Sequence, residues 1–461
     1  MKYKREQKTT ILVVVITAFV TTFTGSALNL SIPDLGGYFG VSAGAVGWLV
    51  TAYMLTVAAL SVPFGKLADG AGRKRILTVG ILIFSASSGV AAFGVSLWML
   101  IALRVVQGVG GAMIFSTNIP VLIGAFSGEE RGKILGYSIA ATYTGLSAGP
   151  VLGGFLNYHL GWRSIFALTA LIGAVALFLA WLRLPADKKN TSRRQPRDIR
   201  GNLLYVAMIT LTMYGLSELD RGTLPFLVTG VGVAIGVLFV YRQLHTEHPV
   251  IQVRIFRKNP AYACANAAAL LNYGATFAIS YLLSIYLQAV KGYSSQTAGF
   301  ILIAQPALMA LLSPLAGRIS DRFSPFLLSS IGMALCAGGL FLFAGIGETT
   351  SLFFIFAALV ITGVGFAFFS SPNTNAVMSC VEEKDYGVAS SILATMRSVG
   401  HTLSMVVVTV VVRLHMGEKA LEDAGAELLT ETMRTAFLLF AAACTAGVFI
   451  SLKRNPSEKQ D

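Results

Sequence analysis

Gly65-Lys66-Leu67-Ala68-Asp69-Gly70-Ala71-Gly72-Arg73-Lys74-Arg75 is a short polar break between two long apolar runs, Val46–Phe64 and Ile76–Val95. Its glycines permit a tight turn, Asp69 can cap a helix N-terminus or pair with a neighbouring arginine, and Arg73–Arg75 would pin the break to a membrane surface. A weaker copy, Gly317-Arg318-Ile319-Ser320-Asp321, stands between two later apolar runs. A second string, Gly108-Val109-Gly110-Gly111-Ala112, returns as Gly363-Val364-Gly365-Phe366-Ala367. In the same register Ser116 matches Ser371, Asn118 matches Asn373, Gly132 matches Gly387 and Gly145 matches Gly400. The chain is therefore internally duplicated, with a unit several apolar runs long.

Of 461 residues, 55% are hydrophobic and only 12% charged, about half the charged share of a soluble domain. Apolar runs of roughly 18 to 25 residues, each enough to cross about 30 Å of hydrocarbon, recur from end to end. Fourteen are read, from Ile11–Ile32 to Met433–Leu452. The duplication pairs the fourth and fifth with the twelfth and thirteenth, and the break after the second with that after the tenth. This predicts an all-α polytopic membrane protein of 14 transmembrane helices, two six-helix halves plus two central helices. Residues 1–182 form the first half, 183–260 a basic linker with the seventh and eighth helices and the following loop, 261–452 the second half, and 453–461 a tail. Parallel repeats of this kind mark secondary transporters that bind substrate near the bilayer midplane.

A formal charge of +13, from 35 Lys and Arg against 22 Asp and Glu, would in a soluble chain suggest nucleic acid. Here most of the basic residues fall in alternate breaks and at the two ends, the asymmetry of the positive-inside rule. Both termini are predicted to be cytoplasmic, in a cell membrane, with no nucleic-acid partner. The break Arg183–Arg200 reads as a linker resting against anionic lipid headgroups. The acidic, helix-prone stretch Arg413–Thr432 reads as a solvated helix on the outer face, with a binding role as the alternative. Cys264, Cys336, Cys380 and Cys444 have no ligand-like spacing, which predicts neither a metal nor a disulfide framework. No nucleotide-binding glycine loop or soluble catalytic domain is legible, so neither an enzyme nor an ATP-driven pump is expected, and no cofactor is implied.

The Gly65–Arg75 string resembles the hallmark cytoplasmic loop of the major facilitator superfamily, with glycines, acid and basic cluster at the family spacing. Gly65, Asp69, Gly72 and Arg73, with Asp321 in the copy, are then conformational residues. Leu100-Ile101-Ala102-Leu103-Arg104-Val105-Val106-Gln107-Gly108 resembles the family's fourth-helix motif, whose buried arginine is implicated in proton transfer. An arginine inside a span is costly unless it has a cavity or a partner, so Arg104 is a functional candidate, with a snorkelling structural arginine as the alternative. Gly145, Gly149 and Gly153, four residues apart, make one flat helix face beside Pro150 and Gly154. The whole string resembles the antiporter motif that marks exporters. Gly161-Trp162-Arg163 and Leu28-Asn29-Leu30-Ser31-Ile32-Pro33-Asp34 are similar to the fourteen-helix drug:proton antiporter branch, which includes the multidrug and tetracycline exporters. The resemblance implies proton-coupled efflux of amphiphilic drug-like compounds.

That branch often carries a carboxylate in the first helix, where this chain has Thr24 and Gly25. No Asp or Glu lies deep in any run; the nearest are Asp34, Glu218 and Asp220 at outer ends. His401, near the middle of the thirteenth run and one turn from Arg397, could load and release a proton instead; a neutral histidine bonded to a neighbouring helix is the alternative. The proton-coupling candidates are Arg104, His401, Arg397 and Asp34. Asn29, Asn118, Asn373 and Tyr143 are candidates to line a cavity, although interhelical hydrogen bonding also explains such asparagines. Tyr273, Tyr281, Tyr286, Phe277 and Phe366 are compatible with an apolar drug pocket. With two buried arginines and no deep acid, an anionic metabolite or a lipid is the alternative cargo. The expected partners are a small-molecule substrate, protons and membrane lipids; a monomer is compatible with everything read.

Overall fold

A backbone crossing hydrocarbon must satisfy its own N–H and C=O groups, so apolar runs of this length fold as helices. The computed structural model describes residues 5–126, 131–184, 198–218, 222–247, 249–251, 253–320, 322–381, 386–417 and 425–452. The first set of helices is α1 (Arg5–Leu28), α2 (Ile32–Phe39), α3 (Ala43–Ala71), α4 (Arg73–Ala91), α5 (Leu97–Gly124), α6 (Arg131–Leu160) and α7 (Arg163–Arg183). Then come α8 (Ile199–Ser217), α9 (Thr223–His245) and the short α10 (Arg254–Lys258). The second set is α11 (Pro260–Thr276), α12 (Ile279–Ile285), α13 (Ser295–Leu302), α14 (Ala304–Ser320), α15 (Pro325–Ala344), α16 (Leu352–Ser379), α17 (Tyr386–Met416) and α18 (Ala426–Leu452).

Among the described residues, 12 segments are long and apolar enough to cross a membrane, not the fourteen read from the sequence. The fifth and seventh runs correspond to α6, of 30 residues, and α8, of 19. Both are diluted by polar and small residues: α6 by Gly, Ser and Thr, α8 by Arg200 and Asn202 at its start. Exposed apolar side chains such as Leu224, Phe226, Leu227 and Val237 cover α9, the pattern of a surface whose solvent is lipid.

The duplication is visible as repeated packing. α4 lies on α5 as α15 lies on α16, and α1 on α6 as α11 on α17. Glycines set the closest approaches: a Cβ at Gly110 would stand 2.6 Å from the Phe84 N, and one at the matching Gly365 2.7 Å from the Cys336 N. Gly108 lies on Thr56 of α3 and Gly363 on Gln305 of α14 in the same way.

The Gly65–Arg75 string is not the loop its composition suggests. α3 stays helical through Ala71, because Leu67 and Ala68 pack with Ile76 and Met113, and the turn is the single residue Gly72 at φ 103°. Gly317 to Ser320 is likewise the last turn of α14. Asp321, the side chain of Asp69 and most of the linker, including Pro185 and Pro196, lie outside the described residues. Arg73, Lys74, Arg75, Arg254, Arg257, Lys258 and Arg318 share one side of the bundle, here called the basic face.

The basic end of α8 is fixed by Asp198. Its carboxylate caps the helix through the Gly201 N–H at 2.8 Å, pairs with Arg242 at 2.8 Å and accepts from Gln243 at 3.1 Å. Burial alone would raise this carboxyl's pKa, but the Arg242, Gly201 and Gln243 donors outweigh it and hold it below its ordinary value. At the opposite face, Gly161 ends α6 at φ 76° and Arg163 closes the Gly-Trp-Arg string, lying 4.3 Å over the Trp162 ring and donating to the Gly94 carbonyl.

Candidate functional site

Four helices from the two sets bring their polar side chains together at mid-depth. Ser370 of α16 shares its hydroxyl with Tyr143 of α6 and Tyr273 of α11, each at 3.0 Å. The Arg397 guanidinium of α17 lies 4.8 Å from the Tyr273 ring centroid. One turn on, His401 stacks on Phe277 at 4.3 Å and meets the Tyr273 ring edge-on at 5.5 Å. Phe366 and Phe369 close the other side of Tyr273. The result is an aromatic box holding one fixed cation, one imidazole and three hydroxyls.

Local sequence explains the convergence. Gly400 lets α17 touch α11: a Cβ there would stand 2.8 Å from the Leu270 carbonyl and 3.0 Å from the Gly274 N. That contact sets Arg397 and His401 on the α11 side. Between α11 and α12 the chain kinks at Phe277–Ala278, and the Ser404 hydroxyl accepts the Ala278 N–H at 3.1 Å. Polar atoms in the box are left without a hydrogen bond: the Arg397 Nε has none, and no hydrogen bond among the described residues reaches either nitrogen of the His401 ring. The Arg397 Nε–H can donate to a substrate, and the His401 imidazole can take up a proton.

The other candidates lie elsewhere. Arg104, 1% exposed, sits inside the first set. It donates to the Leu49 carbonyl at 2.8 Å and to Gln107 at 2.5 Å, and it covers the Tyr53 ring at 4.3 Å. Gln107 continues to Ser88 at 2.6 Å. Asn118 accepts from Thr17 at 3.0 Å, as the hydrogen-bonding alternative requires, and Asn373 is buried one turn beyond Ser370. Asn29 occupies the turn between α1 and α2, its carbonyl accepting from Ser284 at 2.7 Å. Asp34 is exposed on α2 and accepts from Asn157, so it is apart from the box. Tyr281 and Tyr286 are packing residues; the latter's hydroxyl donates to the Gly347 carbonyl at 2.8 Å.

The Gly145, Gly149 and Gly153 face lies on α1. A Cβ at Gly149 would meet the Ser26 Cβ at 2.5 Å, and one at Gly153 the Ala27 Cα at 2.6 Å. Pro150 and Gly154, turned the other way, pack on Gly299 and Ser295 of α13. With Asn29–Ser284 and the Leu30 carbonyl accepting from Gln288 at 3.1 Å, these contacts close the two sets against each other at the face opposite the basic one. Sequence reading did not find Ser370, since a serine within a span has no distinguishing signal. Arg413, read as the start of a loop, is a buried residue of α17.

A duplicated helical bundle with a polar, aromatic box shared between its two sets defines a membrane transporter of small molecules. The comparisons agree: the Major Facilitator Superfamily matches residues 14–405, and the chain belongs to that family. It is therefore a multi-pass membrane protein and not an enzyme. It is 32% identical over 412 residues to the riboflavin transporter RibZ of Clostridioides difficile, covering 86% of this chain and 87% of that one. It is 27% identical over 411 residues to the methylenomycin A resistance protein of Bacillus subtilis, covering 88% and 87%. A bacterial homologue of the human lysosomal transporter Spinster, solved in an inward-facing, occupied conformation, superposes with a TM-score of 0.72 at 14% identity over 100% of both chains.

Proposed function

We propose that the protein is a secondary active transporter that exports amphiphilic aromatic compounds in exchange for protons by alternating access. The observation that carries this reading is the hydroxyl chain from Tyr143 through Ser370 to Tyr273, because it places the box across the seam between the two sets. Residues 1–182 and 261–452 are then the two moving bodies, 183–260 carries the inserted pair, and 453–461 is a tail. Counting α6 and α8 with the other helices makes fourteen spans. The basic face is cytoplasmic, with both termini, in the plasma membrane. His401 carries the exchanged proton in the box, and Gly145 to Gly154 supply the pivot that favours export.

Arg397 favours a second reading of the cargo. A fixed cation among aromatic faces suits a planar heterocycle with an anionic or electron-rich edge and disfavours a cationic drug. Riboflavin, the compound in a relative's name, is a fitting probe. Inverted vesicles with an imposed pH gradient, offered ethidium, an organic anion and riboflavin in turn, test both readings. Gradient-driven accumulation of ethidium alone would favour the cationic-drug branch; accumulation of riboflavin or the anion alone would favour the second. His401→Gln is expected to abolish the response to the gradient, and unchanged coupling would remove His401 from the mechanism.

A further inference from the structure

The inserted helices α8 and α9 have no counterpart in the duplication, yet α8 touches both α3 and α17. At its end away from the basic face stands Glu218, 4% exposed. Its Oε1 accepts from the Trp48 indole N–H of α3 at 3.0 Å, and its Oε2 meets the Arg413 guanidinium of α17 at 2.6 Å. Arg413, 8% exposed, also donates to the neighbouring Ser217 carbonyl at 3.2 Å. Its stem lies over Gly44, where a Cβ would come within 3.0 Å of the Arg413 Cγ. One carboxylate of the inserted pair thus holds a residue of each set, at the face where the two sets are closed.

We propose that Glu218 is a gate-positioning residue: the inserted pair uses it to latch Trp48 and Arg413 together and so hold the outer mouth shut. A buried pair breaks only if the partners separate into water or one loses its charge, so its removal favours whichever state already has the partners apart. Separation of α3 from α17 is what an outward-open state requires. The inference rests on the alternating-access reading, and it gives the two extra helices a task that the six-helix sets cannot perform.

Ser295, 5% exposed beneath Gly154, reports the state of that mouth. Ser295→Cys, in a chain whose four native cysteines are replaced, is labelled in intact cells with a membrane-impermeant maleimide. Glu218→Gln, which keeps the side chain's shape, is expected to label about tenfold faster than the parent. The charge swap Glu218→Arg with Arg413→Glu is expected to return the rate to within about threefold of the parent, a rescue that lost packing alone would not give. Trp48→Phe, which removes the indole donor and trims the ring beside Tyr214, gives a smaller rise and serves if Glu218→Gln accumulates poorly. Gly154→Val wedges the mouth directly. If Gly154→Val labels faster while Glu218→Gln and Trp48→Phe match the parent, the latch is overturned and alternating access stands. If none of the three exceeds the parent, both are overturned.

Discussion

Arg104→Met is expected to leave the folded protein intact and to cut transport by about tenfold or more. Arg104 is buried, its Nη2 has no partner, and among the described residues no carboxylate pairs with it. Its charge is met by a carbonyl, an amide and a ring. Such an arrangement stabilises a cation poorly, and an apolar side chain of similar volume in its place is often neutral or better for stability. Methionine would fill the same space between Tyr53 and Leu49. Both methionine and alanine leave the Leu49 carbonyl and the Gln107 amide oxygen without the arginine's donors, but Arg104→Ala also leaves a cavity and is expected to cost about 3–5 kcal/mol. Arg104→Lys loses the planar fork that reaches Leu49 and Gln107 together, so it should not restore transport. Thermal unfolding of purified protein, set beside vesicle transport, checks the three variants. Full transport by Arg104→Met would make Arg104 a structural residue.

Gly149→Leu carries the second large effect. α1 and α6 meet at Gly149 and Gly153 with only the small Ser26 and Ala27 side chains between them, and the Thr22 and Ser26 hydroxyls tie α1 to the Thr142 and Leu146 carbonyls. A leucine there must push the helices apart against those bonds, an overpacking cost of about 3 kcal/mol or more. Tyr143, Pro150 and Gly154 ride on α6, so the same displacement moves the box and the closed mouth. Transport is expected to fall by about a hundredfold, by analogy with the sensitivity of a reacting site to a displacement of about 1 Å. Gly149→Ala, with a smaller intrusion on the Ser26 side chain, is expected to keep part of the activity. Wild-type transport by Gly149→Leu would mean that α1 and α6 need not stay in contact.

The duplication was legible because close helix contact demands glycine at fixed spacing: Gly110 and Gly365 sit where α5 meets α4 and α16 meets α15, and Gly108 and Gly363 where α5 meets α3 and α16 meets α14. Six of the box residues, Tyr143, Tyr273, Phe277, Phe366, Arg397 and His401, could be named as polar or aromatic residues in spans. Their meeting could not, because it depends on the seam between helices far apart in the chain. Ser370, the hydroxyl that joins them, looks like any small interhelical residue. The Glu218–Arg413 pair was hidden for another reason. The acidic stretch reads as starting at Arg413, whereas α17 continues to Met416 because Arg413 finds Glu218 and Ser217 within reach. The kink at Phe277–Ala278 has no Gly or Pro to announce it, being held by Ser404 from another helix.

Distance measurement between spin labels on the two sets tests alternating access most directly. Phe93 and Phe353 are exposed on the face opposite the basic one, and Leu182 and Phe323 near the basic face. In lipid nanodiscs, lowering the pH from about 8 to about 5.5 to load the exchanged proton should move the two pairs in opposite directions. The Phe93–Phe353 distance is expected to lengthen as the Leu182–Phe323 distance shortens. Two distances that shift together, or that hold constant whatever the pH and the substrate, would contradict a carrier that rocks around the Tyr143–Ser370–Tyr273 seam.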